Sequence, residues 1–296
     1  MARTLEQENR RLKWTMIAPA VAFIGLMVVF PLAYTAWLSL TDAFGAVNAD
    51  TRFLGLVNYT DALGDTRRFW PAVGRTAVFT VAAVALELVL GLALAMLLRR
   101  PFRGMRWMRT ILMVPLLATP VAVGVVWMLI LDPTVGIANA LLGLVGIPPQ
   151  PFLGSVAQSL PTLVLIDVWQ WTPMMTLLLL AGLTTLPEEP EEAALVDGAT
   201  AWQRFRLVTL PMLGTTIVTA LVLRSVDALK TFDLIYATKG AGGGSSYEAE
   251  TLNVYAYGIT FDYSEYGLAA AVLVLFTVLI IGIVVLLRIR SERAGS

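Results

Sequence analysis

Six long apolar stretches dominate the pattern of hydrophobic and polar positions. They run over about Trp14–Leu38, Thr76–Leu98, Thr110–Leu131, Leu160–Leu183, Pro211–Ala228 and Gly267–Leu287, separated by segments where charge, proline and glycine collect. Each is close to the roughly 20 residues a helix needs to cross a hydrocarbon layer about 30 Å thick. The fifth is the most interrupted, with Arg224, Asp227 and Lys230 in or near its far end. The first is too long for the core of a signal peptide and lacks a small-x-small cleavage site, so it reads as a retained span. The pattern predicts an all-α polytopic membrane protein with six transmembrane helices, a single membrane domain over residues 1–296, with no internal repeat, no heptad array and no soluble domain.

Composition agrees with that pattern. Hydrophobic residues make up 57% of the chain and charged residues 14%, and the mean hydropathy is +0.75; soluble domains of this length keep a more polar surface. The formal net charge is zero, which points to no nucleic-acid partner. The chain has no Cys and no His, which removes disulfides, thiolate and imidazole metal ligands and His-based catalysis. Its acids are dispersed, so the sequence does not read as an enzyme.

Basic residues mark one side. Arg3, Arg10, Arg11 and Lys13 precede the first stretch; Arg99, Arg100, Arg103, Arg106 and Arg109 fill the link between the second and third. Arg204 and Arg206 lie between the fourth and fifth, and Arg288, Arg290 and Arg293 follow the sixth. The other side holds Arg52, Arg67, Arg68, Arg75 and Lys239. The positive-inside rule then places both termini in the cytoplasm. Three loops face outward, at about 39–75, 132–159 and 229–266. In the second, Asp132 is the only charge, among Pro133, Pro148, Pro149 and Pro151, and the loop is expected at the membrane interface or against protein.

The cytoplasmic segment 184–211 has the most readable local chemistry. Glu188, Glu189, Glu191 and Glu192 load the start of a short helix with the charge its dipole favours, and Pro187 and Pro190 are tolerated in a first turn. Ala193, Ala194 and Leu195 propagate the helix; Asp197-Gly198 ends it, because glycine takes a left-handed cap without steric cost. Thr200 and Gln203 have capping-box spacing for a second helix, and Pro211 marks entry to the fifth span.

That segment closely resembles the EAA loop of binding-protein-dependent ABC importer permeases, through Glu192-Ala193-Ala194, Asp197-Gly198-Ala199 and Leu210-Pro211; Pro190 is a local departure near the helix start. Further resemblance lies in Phe53-Leu-Gly-Leu-Val-Asn-Tyr59, Val168-Trp-Gln-Trp-Thr-Pro173, Thr231-Phe-Asp-Leu-Ile-Tyr236, Glu250-Thr-Leu252 and Tyr266-Gly267. The chain is most similar to sugar permeases of the maltose and trehalose type. The resemblance implies a type I importer fold in the bacterial inner membrane, paired with a second homologous permease and served by two ATP-binding cassette ATPases and an extracytoplasmic solute-binding protein. ATP and Mg would be bound by the ATPases, and no cofactor by this chain. The residues Glu192, Ala193, Ala194, Asp197, Gly198, Ala199, Leu210 and Pro211 would couple it to the ATPase.

Candidates for the solute path come from polar groups at membrane depth, which are costly and face protein or water. Arg224, Asp227 and Lys230 are spaced three apart, on one helical face; they read equally as a polar wall and as a structural ion-pair ladder. Glu87 reads as an interhelical structural contact. Asp167, Trp169, Gln170 and Trp171, beside the helix-kinking Pro173, suit a sugar's C–H faces and hydroxyl edges, or serve as interfacial anchors. The run Lys239-Gly-Ala-Gly-Gly-Gly-Ser-Ser246 lacks the order of a phosphate loop and reads as a flexible outward loop. A sugar is the expected solute; a polyol or a glycerol-phosphate-type compound is the alternative, and a six-span channel a distant one.

Overall fold

The computed structural model describes residues 2–45, 51–100 and 102–294, with side chains over 12–45, 51–100 and 102–286. Arg3, Arg10, Arg11, Arg288, Arg290 and Arg293, used above to orient the chain, therefore lie outside the described side chains. The described residues are helical throughout, apart from turns and one isolated bridge between Thr41 and Phe53. They form two compact units, residues 1–65 with 259–276, and residues 66–258 with 277–296.

The first unit contains α1 (Ala2–Leu38), α2 (Val57–Gly64) and the start of the last helix. Leu12–Leu38 is apolar and exposed along its length, which suits lipid rather than water. Two segments singled out by resemblance meet here. Asn58 donates to the carbonyls of Ser39 (2.9 Å) and Thr41 (2.8 Å), and Gly267 presses so closely on the Thr41 carbonyl that no Cβ fits. The amide of Gly267 donates to Ala43 at 3.0 Å. The Asn58 side chain thus satisfies a buried turn that has no helix to do so.

The second unit continues with α3 (Phe69–Leu98), α4 (Met105–Leu117), α5 (Pro120–Ile130), α6 (Ile137–Leu144) and α7 (Val156–Thr184). It adds α8 (Glu189–Val196), α9 (Ala201–Arg204), α10 (Leu210–Met212), α11 (Gly214–Leu229), α12 (Asp233–Lys239), α13 (Leu252–Phe261), which runs into the first unit, and the later part of α14 (Tyr266–Ala294). Helices α3, α7 and α11 make its centre. Small residues let them approach: a Cβ on Gly91 would lie 2.7 Å from Met175 Cγ, and one on Gly182 would lie 2.6 Å from Thr216 Oγ1. Close backbone approach is how helices pack where lipid supplies no hydrophobic drive. Val78, Val81 and Val89 stay exposed on the opposite face of α3.

Two of the six expected spans are altered. Thr110–Leu131 is not one helix: α4 and α5 meet at a 100° bend. Pro115 lies in the last turn of α4 and Pro120 opens α5, whose cap Thr119 accepts from Ala122 N at 3.4 Å. The fifth span is also broken, with a 66° bend between Ala201–Met212 and Gly214–Lys239. Four helical segments, Leu12–Leu38, Phe69–Leu98, Val156–Thr184 and Tyr266–Leu286, are individually long and apolar enough to cross; counting each bent pair as one span gives six. Span two starts earlier than expected, so Arg75 belongs to α3 and not to a loop.

The glycine run is packed and not the flexible loop expected. Gly242 and Gly243 are buried, and Gly243 has φ +65° with the Glu250 amide where a Cβ would stand. Lys239 pairs with Glu248 at 2.6 Å and donates to the Leu153 carbonyl and Ser159 Oγ. Positive φ at four glycines within 240–244 lets so tight a turn close without Cβ strain.

Candidate functional site

A buried charge cluster joins the three central helices. Arg224, on α11, is 0% exposed, and its guanidinium fork points into the bundle. Nε and Nη2 donate to the two Glu87 oxygens of α3 at 2.7 and 3.0 Å. Nη2 also donates to Asp167 of α7, and Nη1 to Asp227 at 3.1 Å. Trp171 lies against the guanidinium, 5.1 Å from its ring centre. A planar fork with donors on every nitrogen can serve several carboxylates at once, and that offsets much of the cost of burying them. Glu87, read from sequence as a structural contact with no visible partner, has Arg224 as that partner.

Two members of the cluster, Asp167 and Asp227, together with Trp171, line a cleft of about 210 Å³. Asp167, Gln170 and Trp171 reach it from α7, Asp227 and Lys230 from the end of α11, and Phe232 and Asp233 from the start of α12. Gln170 is 2% exposed. Its amide nitrogen donates to the Ala118 carbonyl at 3.2 Å, which fixes the amide orientation, and Oε1, itself buried, has no hydrogen-bond partner among the described residues. Ala118 sits at the α4–α5 break, so the break positions this side chain.

The expected ladder Arg224–Asp227–Lys230 is therefore divided. Arg224 turns inward, Asp227 bridges it to the cleft, and Lys230 stands exposed at the edge. Trp169 does not line the cleft: it packs edge-on against Trp127 with ring centres 5.6 Å apart. Phe232 and Asp233 were marked in the sequence only by resemblance. Phe232 stacks on Tyr236 at 5.2 Å and lies 5.0 Å from Tyr257, a cluster whose third member, Tyr257, is 25 positions after Phe232.

The segment 184–211 folds as a hairpin. α8 ends in a Schellman motif, with Ala199 N donating to Ala194 O at 2.9 Å and Gly198 N to Leu195 O at 3.1 Å, and Gly198 has φ +81°. This pair of bonds satisfies carbonyls that the helix end would leave open. Thr200 and Gln203 form the complete capping box. The second arm then widens into a π-helical stretch, Phe205–Thr209, before α10; Pro211 has no N–H for the carbonyl four residues back, and the wider turn accommodates it.

Within the hairpin the glutamates divide. Glu191 faces inward, accepting from Arg99 Nη1 at 2.6 Å and from Thr209 Oγ1; the hydrogen bond from Arg99 holds its carboxyl below the usual range. Glu192 is exposed. So are Leu195, Val196, Trp202 and Leu207, with Val196 87% exposed. Ala193, Asp197, Gly198 and Pro211 share that exposure, while Ala194, Ala199 and Leu210 are half-buried. Sequence reasoning selected Glu192 and passed over Glu191, whose partner Arg99 is 92 residues away.

Comparison with known proteins gives a consistent identification. Residues 87–293 match the model of the binding-protein-dependent transport system inner membrane component family. The trehalose/maltose transport system permease protein MalF of Thermococcus litoralis is 34% identical over 277 residues, 94% of this chain and 92% of that protein. The trehalose transport system permease protein SugA of Mycobacterium tuberculosis is 37% identical over 267 residues, 90% of this chain and 84% of that protein. A bacterial ABC transporter involved in import of the acidic polysaccharide alginate shares the fold with a TM-score of 0.84 at 21% identity, covering 99% of both chains. The apolar helices, the hairpin between α7 and α11 and these matches agree: this chain belongs to the binding-protein-dependent transport system inner membrane component family, the membrane permeases of ABC transporters.

Proposed function

We propose that this chain is one of two membrane-spanning subunits of an ATP-driven sugar importer, with both termini and the hairpin 184–211 on the cytoplasmic side. The observation that supports it most is the pairing, within one helical unit, of a rigid hairpin with exposed Glu192 and apolar side chains and a polar cleft with an aromatic edge. The hairpin offers a docking face for an ATPase; the cleft offers carboxylate, amide and ring faces for a polyhydroxyl solute. A binding protein delivers the solute, the partner permease supplies the rest of the path, and the ATPases bind ATP and Mg. The trehalose and maltose systems named for the relatives make a mono-, di- or oligosaccharide the first solute class to test.

The deciding experiment is reconstitution of both permeases with the ATPase and binding protein. Trehalose- or maltose-class sugars should stimulate ATP hydrolysis and enter vesicles, and a solute that does so should protect a Thr231→Cys thiol in the cleft from alkylation. The absence of both stimulation and protection across a sugar panel would refute the reading. Orientation is tested by impermeant thiol labelling of intact cells: Ser245→Cys should react and Gln203→Cys should not. Gly243 is unsuitable for such a probe, since its φ of +65° and the nearby Glu250 amide exclude a side chain.

A further inference from the structure

The cleft also carries a charge preference, an inference that rests on its being part of the solute path. Three carboxylates reach it, Asp167, Asp227 and Asp233, against the single ammonium of Lys230. Arg224 does not redress the balance. Its guanidinium is fully buried and shared by Glu87, Asp167 and Asp227, so with Asp233 and Lys230 counted the carboxylates still outnumber the cations and the wall keeps a negative excess. A second observation points the same way: the buried Gln170, which lines the cleft, has its amide nitrogen occupied by Ala118 and its buried Oε1 left without a partner among the described residues. What this wall presents to a solute is mostly hydrogen-bond acceptors.

We propose that the wall selects neutral, hydroxyl-rich solutes and rejects anionic ones, with Asp227 as the specificity-determining residue. A sugar or polyol hydroxyl can donate to the Asp227 carboxylate, 46% exposed at the cleft, while its C–H face meets the Phe232 ring. A phosphate or carboxylate meets Asp227 as a like charge in a partly desolvated space, where such juxtapositions are costly. Lys230, exposed on a flexible stem at the edge, offsets only part of that. Between the two solute classes that the sequence leaves open, the wall favours sugar or neutral polyol over a glycerol-phosphate-type compound.

The test reads the wall directly, apart from the binding protein's own selectivity. In the assembled transporter, Thr231→Cys is modified with cationic ethylammonium and anionic ethylsulfonate methanethiosulfonates, each rate divided by that on a small free thiol. The cationic reagent should be favoured about tenfold or more. Asp227→Asn should lower that ratio about tenfold, and Lys230→Gln should raise it. Phe232→Cys serves as the second reporter if Thr231→Cys assembles poorly. Equal corrected rates, or a ratio that Asp227→Asn leaves unchanged, would overturn the proposal. A transported sugar that protects the thiol while the charge ratio is flat defeats this inference alone; a strong ratio with no protection defeats both it and the solute path.

Discussion

The hairpin and the charged cleft belong to the same helical unit, yet they are held by opposite means. The hairpin closes on bonds between residues three to five apart: the capping box Thr200–Gln203 and the Schellman pair at Gly198. The cleft closes on bonds between residues 57 and 137 apart, Arg224 to Asp167 and to Glu87. Local bonds make a stiff element that can move as a body, whereas the long-range cluster ties three helices to one guanidinium.

The largest expected effect comes from breaking the junction. Arg224→Met leaves Glu87 and Asp167 buried without a counter-charge, and truncating one partner of such a pair costs about 3–5 kcal/mol. The assembled complex should lose most of its yield and show a clearly lower Tm; near-normal yield and Tm would mean the cluster is not structural. The hairpin should respond differently. Gly198→Val meets open space, so its cost is the backbone one of about 1–2 kcal/mol at positive φ, felt only at the turn. Both permeases should still insert and pair, while ligand-stimulated ATP hydrolysis and uptake fall severalfold. Glu192→Lys, exposed on the same arm, should weaken ATPase co-purification. Wild-type uptake in both variants would show that this hairpin is no lever.

Smaller effects sharpen the contrast. Asp227 is 46% exposed at its side chain, so Asp227→Asn should leave assembly intact, because Arg224 keeps Glu87 and Asp167, and should lower sugar uptake severalfold. A drop in yield equal to the drop in uptake would assign Asp227 to the junction and not to the path. The smallest effect is at Glu191. Its carboxyl is held below the usual range by the bond from Arg99, so its stabilising contribution is complete above the ordinary carboxylate range and disappears as pH falls through its lowered value. At this partly exposed site the contribution is about 1 kcal/mol or less. Tm of the complex followed from neutral to acid should show a small gap between wild type and Glu191→Gln that closes on acidification; a gap that widens would contradict the assignment.

These differences follow what could be read from the chain. Asp197-Gly198, Thr200 and Gln203 state their conformation within a few positions, because capping and left-handed φ are decided by a residue and its immediate neighbours. Arg224, Asp227 and Lys230 share a helical spacing, and spacing alone favoured treating them as one face. It could not say that Arg224 would turn inward to α3 and α7 while Lys230 stayed at the rim. Nor could it show that Trp169 packs on Trp127 while its neighbour Gln170 enters the cleft.

By itself the sequence determined that this chain is helical and apolar enough for a membrane, where the hairpin lies and how each of its arms begins and ends. Those properties depend on composition, 3.6-residue periodicity and local backbone chemistry, all written in adjacent residues. Only the tertiary structure decided that Thr110–Leu131 breaks by 100°, that Arg224 ties Glu87 to Asp167 across the bundle, and that Gln170 is held beside the cleft by the Ala118 carbonyl. Those outcomes depend on which distant helices pack together, and a buried charge or a proline break takes its meaning from the partner it meets across the bundle.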